Sequence, residues 1–178
     1  MKALARFFTG FIRRRALGLW LAALALGLDQ LTKLWATGAL VRGSQSIIDG
    51  LVAFTLSFNR GVAFSFLADI PHAHMPYYLA GFAGAVSVIF VIYMPTGSRL
   101  FQAGLGCIVG GAVGNMIDRI VFGGVIDFIH VYKGDWSFPV FNVADIAINI
   151  GVGLILLDAL RQSKMTKTKT TNKQPEVY

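Results

Sequence analysis

Residues 76–94 read PYYLAGFAGAVSVIFVIYM, a run from Pro76 to Met94 with no charged side chain. About 20 mostly apolar residues, rising ~1.5 Å each in a helix, cover the roughly 30 Å hydrocarbon core of a bilayer. The run is therefore read as a membrane span. The Pro95-Thr-Gly-Ser-Arg99 link that follows is a turn by composition. A second long run, Phe101 to Phe122, begins directly after it, and two more lie further out, Ala16 to Trp35 and Phe138 to Leu160. The whole chain agrees with four spans: 55% of its residues are hydrophobic, 14% are charged and the mean hydropathy is +0.63. Ordinary soluble domains carry roughly 25% charged residues, so a soluble monomer is excluded.

The net charge of +7 would suggest nucleic-acid binding in a soluble protein. Here the basic residues flank spans. Lys2, Arg6, Arg13, Arg14 and Arg15 precede the first run, Arg99 sits in the short link, and Arg161, Lys164, Lys167, Lys169 and Lys173 follow the last run. The positive-inside rule then predicts that both termini and the link are cytoplasmic, with residues 36–75 and 123–137 on the outer side. Trp35 and Trp136 fall at the predicted outer boundary and Trp20 near the inner one, as aromatic belts do. The basic start and the small residues at Ala36 to Ala39 also suit a signal peptide. Asp29 and Lys33 inside the run argue instead for a retained span. Residues 1–162 are expected to form one membrane-embedded domain, and 163–178 a polar, disordered cytoplasmic tail.

The expected fold is an all-α polytopic membrane protein with four transmembrane helices. A small extracytoplasmic β-rich segment is expected between the first and second helices, because Ile47-Ile48 and Leu51-Val-Ala-Phe-Thr-Leu-Ser-Phe58 are β-branched and aromatic around an Asp49-Gly50 turn. A re-entrant or interfacial loop is the alternative. Gly106, Gly110 and Gly114 recur every four residues in the third span and predict close helix packing. Cys107, the single cysteine, excludes an intrachain disulfide, and it is read as a packing residue. His72, His74 and His130 are scattered without an HExxH pattern, so no metal site and no cofactor are expected.

Ionisable groups in a membrane cost at least ~2.5–3.5 kcal/mol each on insertion scales, so those present are expected to be paired or functional. Asp29 and Lys33 are four apart in the favourable order for a helical ion pair. Asn115, Asp118 and Arg119 form one patch at the outer end of the third span, and Asp118 with Arg119 could neutralise each other. Asn142, Asp145 and Asn149 form a polar stripe on the fourth. Counted from Phe138, Asp145 lies about 10 Å below the outer boundary with no cation one turn away. Asp127, returning from the third span on the same side, is the candidate partner. Two carboxyls brought together share a proton and split into an acid and a base, which suits amide hydrolysis. A proton-coupled transporter relaying through Asp29, Asp118 and Asp145 fits the same spacing, as does a structural subunit whose polar residues only mediate packing.

Five ordered motifs resemble the lipoprotein signal peptidase (signal peptidase II) family. They are Asp29-Gln-Leu-Thr-Lys33, Asn59-Arg-Gly61-Val-Ala63-Phe64-Ser65, Gly110-Gly-Ala-Val-Gly-Asn115-Met-Ile-Asp118-Arg119, Val125-Ile-Asp127-Phe128 and Phe138-Pro-Val-Phe-Asn142-Val-Ala-Asp145. The resemblance implies a bacterial inner-membrane aspartyl endopeptidase. Its substrate would be a prolipoprotein, cut just before a cysteine that already carries a diacylglyceryl group. It implies a catalytic dyad of Asp127 and Asp145, with Asp29, Lys33, Asn59, Gly61, Asn115, Asp118, Arg119, Asn142 and Ala144 as the substrate-binding and supporting set. The implied partners are the lipid-modified precursor and membrane lipids, with no nucleic acid. A monomer with its active site near the outer leaflet is expected.

Overall fold

The computed structural model describes the backbone of residues 2–61 and 74–171 and the side chains of 15–61 and 74–164. Four long helices, α1 (Lys2–Ala39), α2 (Met75–Tyr93), α3 (Arg99–Phe122) and α4 (Val143–Thr171), carry the four apolar runs. Their membrane-spanning portions are Arg15–Ala39, Met75–Thr96, Arg99–Phe122 and Val143–Lys164. Outward faces such as Trp20, Leu24 and Leu31 of α1 and Phe82 and Val88 of α2 are exposed, as lipid-facing surfaces are.

Helix α3 is the centre of the bundle, with α1, α2 and α4 packed around it. Its glycines make that possible. A Cβ at Gly106 or Gly110 would run into the backbone of Gly18 or Ala22 on α1, and one at Gly104 or Gly111 would meet the backbone of Gly151 or Ala144 on α4. The Gly106, Gly110 and Gly114 stripe read from the sequence is the face that packs on α1, and Gly104 and Gly111 add a second face toward α4. Ser98 starts α3 by accepting hydrogen bonds from the backbone N–H groups of Leu100 and Phe101 at 3.1 and 3.2 Å, and it donates to the buried Asp158 of α4 at 2.6 Å. Gly123, in the left-handed region at φ 72°, ends α3 with its N–H on the Arg119 carbonyl.

The β-rich segment expected after the first helix is present as β1 (Gln45–Ile48) and β2 (Val52–Asn59), and it is half of a larger sheet. The connection between α3 and α4 supplies β3 (Val125–Lys133) and β4 (Trp136–Ser137), giving an antiparallel order β1-β2-β3-β4. An irregularity between Phe54 and Ser57 resets the register, so that Ser57 faces Asp127 and Asn59 faces Val125. Trp35 fastens the sheet to α1 through edge-on contacts with Phe54 (5.1 Å) and Phe128 (6.1 Å) above buried Ala36 and Leu40.

Two boundaries differ from the expected ones. Helix α4 begins at Val143, not Phe138, because Phe141 is bridged to Ile129 of β3 and Pro139 lies in the extended approach. Asp145 is consequently in the first turn of α4, not two turns down it. At the other end α4 continues to Thr171, past the boundary expected at 162, since no glycine or proline interrupts the stretch. Residues 172–178 of the tail lie outside the described residues, as do Val62 to Ser65 of the second motif and His72.

Candidate active site

The site forms where the C-terminal ends of α1 and α3 meet β3 and the start of α4. Asn142 is the N-cap of α4 and Asp145 its third residue, and they cap each other. The Asp145 N–H donates to Asn142 Oδ1 at 2.9 Å, and the Asn142 N–H donates to Asp145 Oδ2 at 3.2 Å. This is a capping box built from Asn and Asp, and it places a carboxylate at the positive end of the helix. The other half of the Asn142 side chain faces β3, where Nδ2 donates to Asp127 Oδ1 at 2.6 Å. One asparagine thus holds both carboxylates. Asn115 of α3 completes the link, donating from Nδ2 to Asp145 Oδ1 at 3.0 Å and accepting on Oδ1 from Asn142 at 3.1 Å.

Behind this pair lies an ionic core. Lys33 reaches across from α1 to Asp29 and Asp118, both at 2.8 Å, and donates to Asn115 at 2.9 Å. All three charged groups are buried. Both carboxylates also accept from backbone: Asp29 through Oδ1, from the Ala144 N–H at 2.9 Å, and Asp118 through Oδ2, the oxygen that faces Lys33, from the Ile126 N–H at 3.1 Å. Asp29 therefore fixes the first turn of α4 and Asp118 the start of β3, the two segments that present Asp145 and Asp127. Buried charges of this kind persist only when each is paired and hydrogen-bonded.

Asp118 pairs with Lys33, not with its neighbour Arg119. The Arg119 guanidinium donates to the Asn115 carbonyl at 3.2 Å and lies within electrostatic reach of Asp145, Asp127 and Asp118, while its Nε is buried with no hydrogen-bond partner among the described residues. Asn149 turns away, its amide on the Asp145 carbonyl of its own helix, and does not join the site. Asp127 is buried; that burial, followed by the charge of Asp145, pushes its carboxyl up from the ordinary 3.8 to about 6, against the favourable influence of Asn59, Asn142 and Lys33.

Two cavities meet at Ser57 and Phe58 of β2. The smaller, about 380 Å³, contains Asp127 together with Asn59, Arg60, Pro139 and Val140. The larger, about 520 Å³, opens between α1 and α3; Lys33 and Asp118 are part of its wall, the rest of which is mainly apolar, including Leu34, Leu56, Phe122 and Ile126. It does not reach Asp127 or Asp145.

A family model described as signal peptidase (SPase) II matches residues 21–161. The chain belongs to that family. It is 40% identical over 145 residues to the lipoprotein signal peptidase of Janthinobacterium sp. (strain Marseille), covering 81% of this chain and 88% of the relative. It is also 40% identical over 151 residues to that of Acinetobacter baylyi, covering 83% and 84%. Two solved structures, each described as a bacterial membrane enzyme structure by the in meso method, superpose with TM-scores of 0.68 and 0.70 at 26% identity. The first match covers 90% of this chain and 93% of the other, the second 80% and 92%. As a signal peptidase II, the chain is a multi-pass protein of the bacterial inner membrane and an intramembrane aspartic endopeptidase that removes the signal peptides of lipidated prolipoproteins.

The structure brings Asp29, Lys33, Asn115, Asp118, Asn142, Ala144 and Asp145 into one hydrogen-bonded cluster with Asp127, and sets Asn59 and Gly61 at the end of β2 beside it. Gln30, which follows Asp29 directly, is not among the residues expected from the sequence. It bridges Asp29 and Asp118 at 3.1 and 3.2 Å. Its signal was its place beside an intramembrane acid. Ser57, which the strand register sets opposite Asp127, carries no such signal.

Proposed function

We propose that Asp127 and Asp145 are the catalytic dyad, cleaving the peptide bond just before the lipidated cysteine. The observation that carries this is Asn142, whose side chain and N–H hold one carboxylate each. Asp145, held by the Asn115 amide and the Asn142 N–H at the start of α4, serves as the base that takes a proton from the attacking water. Asp127 is the proton holder. It polarises the scissile carbonyl, and once the water oxygen has bonded to carbon it gives its proton to the leaving nitrogen as the C–N bond breaks. The Arg119 Nε–H supplies a spare donor for a substrate carbonyl. The apolar part of the larger cavity suits the diacylglyceryl chains, one strand position along from the dyad.

The reading further places both termini and the Pro95–Arg99 link in the cytoplasm and the dyad near the outer leaflet, where a bond beside a lipid-bearing cysteine lies. The chain acts as a monomer, since every residue of the site comes from one copy, and it engages no nucleic acid. Residues 1–162 are the peptidase domain and the remainder is a cytoplasmic tail. Purified Asp127→Asn and Asp145→Asn variants are expected to fold and to lose cleavage of a diacylglyceryl-modified precursor by at least ~10³-fold. The same precursor without lipid is expected to be a poor substrate for the native enzyme. Normal cleavage by either variant overturns the dyad.

A further inference from the structure

Lys33 and Arg119 are committed to buried partners at the site, whereas Arg60 is not. The strand before it is held by the pairing of Asn59 with Val125, and Asn59 Oδ1 then accepts the Gly61 N–H at 2.9 Å, closing a tight turn with Arg60 at its apex. Gly61 has φ +80°, and a Cβ there would strike Leu79 of α2, so the turn is fixed from both sides. Arg60 is exposed, and its guanidinium rests over the Phe58 ring, 5.7 Å from the centroid. Among the described residues it pairs with no acid. It lines the same cavity as Asp127. A ring contact holds a guanidinium in place while leaving its N–H edge open to a further partner.

We infer that Arg60 is a specificity-determining residue that favours acidic side chains in the first positions after the lipidated cysteine. This rests on the peptidase reading and the outward-facing dyad. On that reading the signal-peptide side of the scissile bond is apolar and lies among the helices. A carboxylate near Asp127 then comes from the mature side, and it meets at the exposed rim of the cavity a cation with no acidic partner among the described residues. Exposed charge pairs are weak and screened by salt, so the effect is a preference and not a requirement.

The test compares diacylglyceryl-modified precursor peptides carrying Asp, Asn or Lys at the two positions after the cysteine. Each is cleaved by the full-length enzyme in detergent, as native, Arg60→Gln and Arg60→Glu forms, at low and high salt. The native enzyme is expected to prefer Asp over Lys by roughly three- to tenfold in kcat/KM at low salt. Arg60→Gln is expected to level the ratio and Arg60→Glu to invert it, with the Asn peptide cleaved at nearly native rate throughout. An Asp-to-Lys ratio that is the same in all three enzymes overturns the role of Arg60, and so does an equal loss on all three peptides. Failure of the native enzyme to cleave the Asn peptide would instead refute the peptidase reading, so the two failures are distinguishable.

Discussion

Asp127 and Asp145 are alike in chemistry and unlike in surroundings, and that difference gives the pH dependence. Asp145 sits at a helix N-terminus, its carboxylate accepting from the Asn115 amide and the Asn142 N–H while its own N–H donates to Asn142 Oδ1. Asp127 lies buried beside its charge and holds a proton up to about pH 6. In the proposed mechanism catalysis needs that proton, so kcat/KM is expected to fall about tenfold per pH unit above roughly 6. A flat profile between pH 5 and 8 removes Asp127 as the proton holder. Stability follows with a defined sign. The folded state binds the proton more tightly than the unfolded chain does. Its contribution is therefore complete below pH 3.8 and is lost as pH rises through 6. At ~1.36 kcal/mol per pKa unit the loss is at most about 3 kcal/mol. Asp127→Asn should accordingly raise Tm relative to the native protein at pH 7.5 and lose that advantage at pH 4. At this scale the sequence was most informative, since few charges in an apolar chain make each acid conspicuous. It did not show that Asp118 would choose Lys33 over Arg119, because Lys33 reaches it only through the packing of α1 on α3.

At the scale of elements, the start of α4 couples folding to chemistry. Asn142 caps the helix through Oδ1 and holds Asp127 through Nδ2, two separable roles of one side chain. Asn142→Ser keeps a capping oxygen and loses the amide donor, whereas Asn142→Ala loses both. The serine variant is expected to melt near the native temperature with activity down about 10- to 100-fold. The alanine variant should lose similar activity and about 1 kcal/mol of stability as well. Equal stability in the two variants would show that the cap contributes nothing. Full activity in the serine variant would remove the Asn142 bridge. The Asn142 and Asp145 spacing of a capping box was present in the sequence, but the apolar Phe138 to Phe141 run before it read as helix. Hydropathy does not separate an apolar strand from an apolar helix, and Phe141 was claimed by a bridge to Ile129. For the same reason β3 was seen only as an acid among apolar residues. Its identity as a strand depends on β2, more than 60 positions earlier in the chain.

For the whole molecule, the four spans and the order of motifs were legible because bilayer thickness fixes helix length. The proposed sidedness rests on charge. Eleven of the sixteen basic residues lie at the two ends and in the Pro95–Arg99 link, while Asp127, Asp145 and the four-stranded sheet lie at the opposite ends of the helices. This orientation decides which leaflet supplies the substrate, and it can be tested without any assay of cleavage. Cys107, half-buried within α3, is the single native cysteine and can be replaced by alanine. Asp135→Cys, at the exposed β3–β4 turn, and Thr96→Cys, exposed at the link, then report on opposite faces. A membrane-impermeant maleimide applied to spheroplasts is expected to label position 135 directly and position 96 only after the membrane is opened. The reverse pattern would put the dyad on the cytoplasmic side, separating it from a precursor whose mature part has already been exported. Labelling of both positions in sealed cells would mean that the basic residues do not set a single orientation, and the charge argument would fall with it.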